Sequence, residues 1–417
     1  MDVPAKVITQ TVKKELGCPE RDAKIARWRN LVSFWLLGLC NNYGYVVMLS
    51  AAHDILESRF GNETPTESPV RNETIGNSTS RNCNAVSTGA ILLADILPSL
   101  MIKLTAPFLP FYVHVRIAIC VAFSILSYIA VSLADTKWVT ILGVVLTSMS
   151  SGLGEATIIS HSHKYGRDSI TAWSSGTGGA GIIGAFSYAG LRMVMSTEDA
   201  LLVMLVVPVA QAVAFWLIMV EPHENSIAKY ALESQEEMVK APSKTFREKF
   251  ALVPRLVKYI VPLGLVYLFE YFINQGLYEL IQFDGIWLSK EEQYRWLQVD
   301  YQIGVFISRS SASFVTFQNI WLMSVLQFVN VVIFTSEALL FYMPSVWIIF
   351  ALVLWEGLLG GGAYVNTFYR MTGEVPANDL KVSLGIVSMS DSLGIAMSGW
   401  IAIMAHTAIC KLPQPIR

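Results

Sequence analysis

Phe269-Glu-Tyr-Phe-Ile-Asn-Gln-Gly-Leu-Tyr-Glu279 lies inside a long apolar run, 259–283. A run of that length crosses a bilayer as a helix, yet Glu270, Asn274 and Gln275 fall well within it. An ionisable group at that depth costs on the order of 3 kcal/mol on insertion, so it faces a protein interior or a water-filled cavity. Glu270 and Asn274 are four apart and share one helical face. Leu263, Leu265 and Leu268 are left for lipid or neighbouring helices. The stretch reads as a cavity-lining helix of an all-α membrane protein.

The rest of the chain agrees. Of 417 residues, 53% are hydrophobic and 15% charged, the mean hydropathy is +0.48, and the apolar residues come in blocks rather than at amphipathic spacing. A net charge of -2 gives no pull towards nucleic acid. Cys18, Cys40, Cys83, Cys120 and Cys410 form no metal-binding pattern, which argues against zinc and against a disulfide scaffold. GxSxG, HExxH and phosphate-loop motifs are absent, so neither an enzyme nor a cofactor is expected. The polar, basic first 30 residues run straight into a full-length apolar segment, so the first span is expected to act as its own insertion signal.

The 20-residue criterion gives about eleven spans: 31–52, 88–113, 117–135, 138–160, 169–191, 200–220, 259–282, 296–315, 320–341, 344–368 and 382–409. Three acceptor motifs for N-glycosylation, at Asn62, Asn72 and Asn77, follow the first span and predict that 53–87 is luminal. The amino-terminal tail, 1–30, is then cytosolic and the tail 410–417 luminal. About 20 Lys/Arg fall on the cytosolic segments against about 9 on the luminal ones, the positive-inside bias. The linker 221–258 is the largest cytosolic loop, either a solvated connection or a surface for trafficking partners. It separates a six-helix bundle, 31–220, from a five-helix bundle, 259–409. Asn42/Asn274, Lys103/Arg309, Gly152–Glu155/Glu356–Gly362 and Ser174–Gly176/Ser390–Ser392 recur in the same order on spans one and seven, two and eight, four and ten, five and eleven. That order points to parallel half-repeats of a two-bundle transporter.

Of the charges within spans, seven read as buried: Asp95, Lys103, Glu155, Glu270, Arg309, Glu356 and Asp391. Lys103 and Arg309 occupy similar depths in the two halves. Facing a cavity, they suit a phosphate or carboxylate. Alternatively they make interhelical pairs, Lys103 with Glu155 and Arg309 with Asp391 or Glu356. Glu270 has no basic residue on its own helix and is the candidate proton carrier, with Glu155 and Asp391 as further acids on the path. The glycines of Trp173-Ser-Ser-Gly-Thr-Gly-Gly-Ala-Gly181 permit close helix packing, or packing that also rocks.

Phe34-Trp-Leu-Leu-Gly-Leu-Cys-Asn-Asn42, Leu93-Ala-Asp-Ile-Leu-Pro98, Ser150-Ser-Gly-Leu-Gly-Glu155, Trp173–Gly181, Glu270-Tyr-Phe-Ile-Asn-Gln-Gly276, Gln293-Tyr-Arg-Trp296 and Glu356-Gly-Leu-Leu-Gly-Gly361 resemble the battenin family. The similarity runs from Trp28 to His406. It implies a lysosomal or late-endosomal multispan protein distantly related to the major facilitator superfamily. It also implies glycerophosphodiester export, with links to luminal pH, to basic amino acids and to neuronal ceroid lipofuscinosis. In that superfamily spans one, four, seven and ten line the cavity, and here they carry Asn41, Asn42, Glu155, Glu270, Asn274 and Glu356. Two departures stand out: a C-terminal prenylation box is missing, and Glu248-Lys-Phe-Ala-Leu-Val253 is a poor acidic dileucine signal. The resulting expectation is a secondary transporter of a small anionic solute, held by Lys103, Arg309, Asn41, Asn42, Asn274, Gln275 and Glu356. The rival is a non-transporting lysosomal scaffold or regulator of trafficking and luminal pH.

Overall fold

The computed structural model describes residues 20–60, 88–134, 136–221, 245–288 and 290–413. Asn62, Asn72 and Asn77, and most of the linker, lie outside them. The regular elements described are all helical: α1 (Glu20–Phe60), α2 (Thr88–Thr105), α3 (Val113–Ser132), α4 (Lys137–His161), α5 (Arg167–Arg192), α6 (Thr197–Ile218), α7 (Val253–Leu280), α8 (Lys290–Ser310), α9 (Ile320–Leu340), α10 (Val346–Glu374) and α11 (Ala377–Ile409). A five-residue helix, Phe246–Phe250, precedes α7, closed by a capping box between Thr245 and Glu248. Seven of the long helices are long and apolar enough to cross a membrane by length and composition: α3, α4, α6, α7, α9, α10 and α11. Of the eleven crossings expected from the sequence, α1, α2, α5 and α8 do not meet that criterion among the described residues. These four carry polar and small residues that pack against other helices.

Helices associate in lipid through close packing and interhelical hydrogen bonds, because the tails are as apolar as leucine. The two halves use the same device. In the first, α1 lies along α5, and a Cβ at Gly38 or Gly176 would overlap the facing backbone. In the second, α7 lies along α11, and a Cβ at Gly394 would overlap the Gly264 carbonyl. Likewise α2 packs on α4 and α8 on α10. The halves meet along two seams, α5 against α8 and α2 against α11. Trp173, Tyr259, Tyr364 and Phe368 are fully buried in one core cluster that draws on both halves.

The opening stretch of sequence folds as two different turns. The α-helix of α7 stops at Phe272, a π turn takes Ile273–Leu277, and a 3-10 turn takes Tyr278–Leu280. All of 273–280 is buried. A π turn widens the helix by one residue, and such widenings concentrate where a helix presents functional groups. α8 begins at Lys290, earlier than the sequence reading placed it, and ends beside Arg309 with a 3-10 turn at Ser311–Ser313. Cys410 is disulfide-bonded, while Cys40 and Cys120 are free. Cys18 and Cys83 lie outside the described residues.

Candidate functional site

Lys103 lies near the end of α2 and reaches into the seam with α11. Its Nζ stands 2.7 Å from Glu155 Oε2 on α4 and 3.0 and 3.1 Å from the two Asp391 oxygens on α11. All three residues are buried. Asp391 occupies the first turn of the Met389–Ile409 segment, after a break at Ser388. Helix N-termini favour a carboxylate there, and the Ser392 amide and hydroxyl donate to Asp391 Oδ1. The trio thus joins α2 and α4 of the first half to α11 of the second.

Arg309 closes the last turn of α8, where the helix dipole favours a cation. Its Nη1 donates to Thr177 Oγ1 at 2.6 Å across the α5–α8 seam, and its Nη2 donates to the Tyr267 hydroxyl at 2.7 Å. The guanidinium lies 4.3 Å from the centroid of the Tyr364 ring, a cation–π contact. Its Nε is buried without a hydrogen-bond partner. Among the described residues no carboxylate lies within ion-pair distance of Arg309.

Tyr364 on α10 couples the two cationic centres. Its hydroxyl donates to Glu155 Oε1 at 2.7 Å and accepts from Trp173 Nε1 at 3.3 Å. Its ring carries Arg309. A single side chain therefore touches the carboxylate that holds Lys103 and the guanidinium of the opposite seam.

A second polar layer surrounds this cluster. Glu270 accepts from the Tyr301 hydroxyl on α8, while its other oxygen has no partner. It lies against Gly360 of α10, where a Cβ would overlap the carboxylate. Asn41 of α1 stands in the same relation to Gly154 of α4, and donates to Ser151 O at 3.0 Å and to Asn42 at 3.3 Å. The pairs α1–α4 and α7–α10 thus each seat a polar side chain on a glycine of the facing helix. Glu356 accepts from the Tyr278 hydroxyl at 2.6 Å, with its second oxygen unpartnered. Asn274 Oδ1 and both Asp95 oxygens are also buried without partners. Tyr294 donates to Gln275 at 3.4 Å. A buried acceptor left unpaired costs about 1–3 kcal/mol. These oxygens are therefore positions where a proton, a water or a solute hydroxyl adds a bond.

The structure thus brings Lys103, Glu155, Asp391 and Arg309 into one connected cluster and sets Glu270 beside it, within electrostatic reach of Arg309. Glu356, Asn274 and Gln275 form a separate patch in and around the π turn. Two alternative pairings are corrected. Asp391 serves Lys103 rather than Arg309, and Glu356 pairs with a tyrosine. Sequence reasoning missed Tyr267, Tyr278, Tyr301, Tyr364 and Trp173. The available signal was a set of hydroxyl and indole groups placed mid-span, each of which needs a partner when buried.

The family described as CLN3 protein matches this chain over residues 32–243 and 223–412. The chain belongs to the CLN3, or battenin, family. Battenin of the dog, Canis lupus familiaris, is 41% identical over 416 residues, covering 94% of each chain. Protein BTN1 of Chaetomium globosum is 36% identical, over 91% of this chain and 88% of its own. BTN1 of Yarrowia lipolytica is also 36% identical, over 91% and 94%. Among solved structures, the human organic anion transporter MFSD10 (TETRAN) superposes with a TM-score of 0.61 at 13% identity, covering 92% of this chain and 96% of that one. At that identity the likeness concerns the fold, a two-bundle arrangement of the major-facilitator kind. The CLN3-family chain is thus a multispan membrane protein with a transporter's architecture.

Proposed function

We propose that this CLN3-family protein is a lysosomal secondary transporter that works by alternating access and exports small anions of the glycerophosphodiester class in a proton-linked cycle. The observation that carries the reading is Arg309. It is a cation inside a helix bundle with two neutral hydroxyl partners, an aromatic ring and an unused Nε, and no carboxylate at ion-pair distance among the described residues. A charge in that setting is costly unless paired. A phosphodiester supplies one delocalised charge and acceptor oxygens matched to a guanidinium fork. Lys103 lies one tyrosine away, held by two carboxylates that can exchange partners. A ligand shifts a conformational equilibrium only through differential affinity, and both cations sit on seams that must open and close if the halves rock. Asn41, Asn42, Asn274, Gln275 and Glu356 are assigned to the solute's hydroxyls, and Glu270, Glu155 and Asp391 to proton coupling.

In this reading 31–220 and 259–409 are the rocking halves, 221–258 is a cytosolic linker open to trafficking partners, and 1–30 is cytosolic. The luminal side holds glycan on Asn62, Asn72 or Asn77 and the tail 410–417. The bonded Cys410 at the end of α11 suits an oxidising lumen. The test is flux of glycerophosphodiesters through the purified protein in sealed vesicles with an acidic interior. Saturable flux supports transport. No flux of phosphodiesters, basic amino acids or nucleosides would return the chain to the scaffold class.

A further inference from the structure

Away from the seams, at the end of the bundle where α2 closes and α11 begins, a second group of cations converges. The turn 106–111 between α2 and α3 is its focus. Arg116 of α3 donates through Nη2 to the carbonyls of Ala106, Leu109 and Pro110 at 2.6, 3.1 and 3.2 Å. Its guanidinium lies 5.0 Å from the centroid of the Phe111 ring. Lys381 of α11 places Nζ 3.8 Å from the centroid of that ring. Lys249, on the short helix before α7, donates to the carbonyls of Pro107 and Phe108 at 3.2 and 3.4 Å. Lys164, exposed just beyond α4, acts on Lys381 together with Arg116 and Lys249. Partial burial, and then Arg116, hold the Lys249 ammonium below the usual lysine range.

Four cations from four elements thus share one locus, and among the described residues none has a carboxylate within ion-pair distance. Glu248, on the same short helix as Lys249, is engaged by Thr245 in the capping box. Carbonyl oxygens and a ring face answer these cations only in part, and their mutual repulsion remains. The rim is apolar and exposed: Phe246 at 66% and Phe250 at 60% on the short helix, Leu109 at 56% and Tyr112 at 68% on the turn. Phe246 packs on Phe108, 4.9 Å between ring centroids, which fixes the short helix against the turn. A basic centre with exposed aromatics beside it, at the ends of membrane helices, matches the headgroup and upper acyl region of an anionic lipid.

We propose that this locus is a binding site for a phosphorylated inositol lipid of the leaflet on the linker side, its phosphates on Lys164, Lys249, Lys381 and Arg116 and its chains against Phe246, Phe250, Leu109 and Tyr112. The site goes beyond the transport reading and takes from it only the cytosolic side. Because Arg116 and Lys381 belong to opposite halves, a bound headgroup bridges them. Shared chemistry leaves a soluble polyphosphate as the competing source, and the apolar rim favours the lipid.

The test uses full-length protein in phosphatidylcholine nanodiscs doped with a phosphatidylinositol monophosphate, with bound lipid read by native mass spectrometry. The parent should retain the phosphorylated lipid in preference to phosphatidylcholine. Each lysine near a membrane surface changes anionic-lipid affinity by about fivefold. Lys164→Gln should therefore lose about fivefold and Lys164→Gln with Lys249→Gln about 25-fold, while Lys164→Arg stays at the parent level. Lys164 is exposed, so its replacement leaves the fold intact. Phe250→Ser, which leaves the Phe246–Phe108 contact in place, should weaken the lipid but not a soluble inositol phosphate. Equal retention by the parent and the double lysine variant overturns the proposal, as does a chain-free inositol phosphate that binds as tightly as the lipid.

Discussion

Arg309→Lys separates a fork from a charge. In the parent, Nη1 and Nη2 reach Thr177 and Tyr267 on two different helices while the flat group lies on Tyr364. One ammonium can serve one of those acceptors in good geometry, so the variant gives up about one charge-assisted bond, about 1.5–3 kcal/mol. It also loses part of a ring contact worth about 0.5–1 kcal/mol. If the anion engages the fork through the unused Nε and a second nitrogen, the bidentate bond to the solute is lost as well. A second loss of about 1.5–3 kcal/mol corresponds to about 10- to 150-fold in affinity. The assay is calorimetric titration of the purified protein with a glycerophosphodiester, beside a thermal melt. Thr177→Val keeps the guanidinium and should lower the melting temperature while leaving affinity within a few-fold. Arg309→Ala should lose more affinity than Arg309→Lys. Parent-like affinity in both Arg309 variants would make Arg309 a structural group and remove the anion site from the α5–α8 seam.

Three further outcomes are expected. Glu270→Gln should flatten the pH dependence of flux while the protein still folds, because the amide cannot exchange a proton; a pH profile unchanged from the parent removes Glu270 from the proton path. Gly360→Ala should destabilise by about 1–3 kcal/mol in a thermal or denaturant melt, since the new methyl overlaps the Glu270 carboxylate; Gly190→Ala, with nothing within 4 Å of the new atom, serves as the neutral control. A tag after Arg417 should be shielded from protease added outside intact organelles, and cleavage there means that the number of crossings is even.

Hydropathy alone located most helices, because each apolar block is a complete physical instruction in lipid. The ends of α7 and α8 were less legible. Asn274-Gln-Gly276 reads as a continuation of a helix, whereas the chain widens there into a π turn that packs against α11 and whose Asn274 carbonyl accepts from Gln298 of α8. The unusual residues Lys103, Glu155, Glu270, Arg309 and Asp391 announced themselves by their cost. Their partners did not. Lys103 and Asp391 are 288 positions apart, and Tyr364 and Glu155 are 209 apart. No helical periodicity encodes contacts at that separation. A tyrosine in an apolar span looks like bulk until the group that meets its hydroxyl is known, which is why five aromatic members of the site stayed hidden.

The cluster around Tyr364 also sets an electrical condition. In that cluster two cations, Lys103 and Arg309, face two acids, Glu155 and Asp391, so the formal charges of the empty centre cancel when Glu270 beside it carries a proton. A single anion arriving alone would leave one uncompensated negative charge deep in a low-dielectric interior, where that is expensive. Taking up a proton on one of the carboxylates restores the balance. In the proposed cycle, a monoanion accompanied by one proton would cross with no net charge, so membrane voltage would do no work on the loaded carrier. The acidity difference between the two compartments would then supply the gradient.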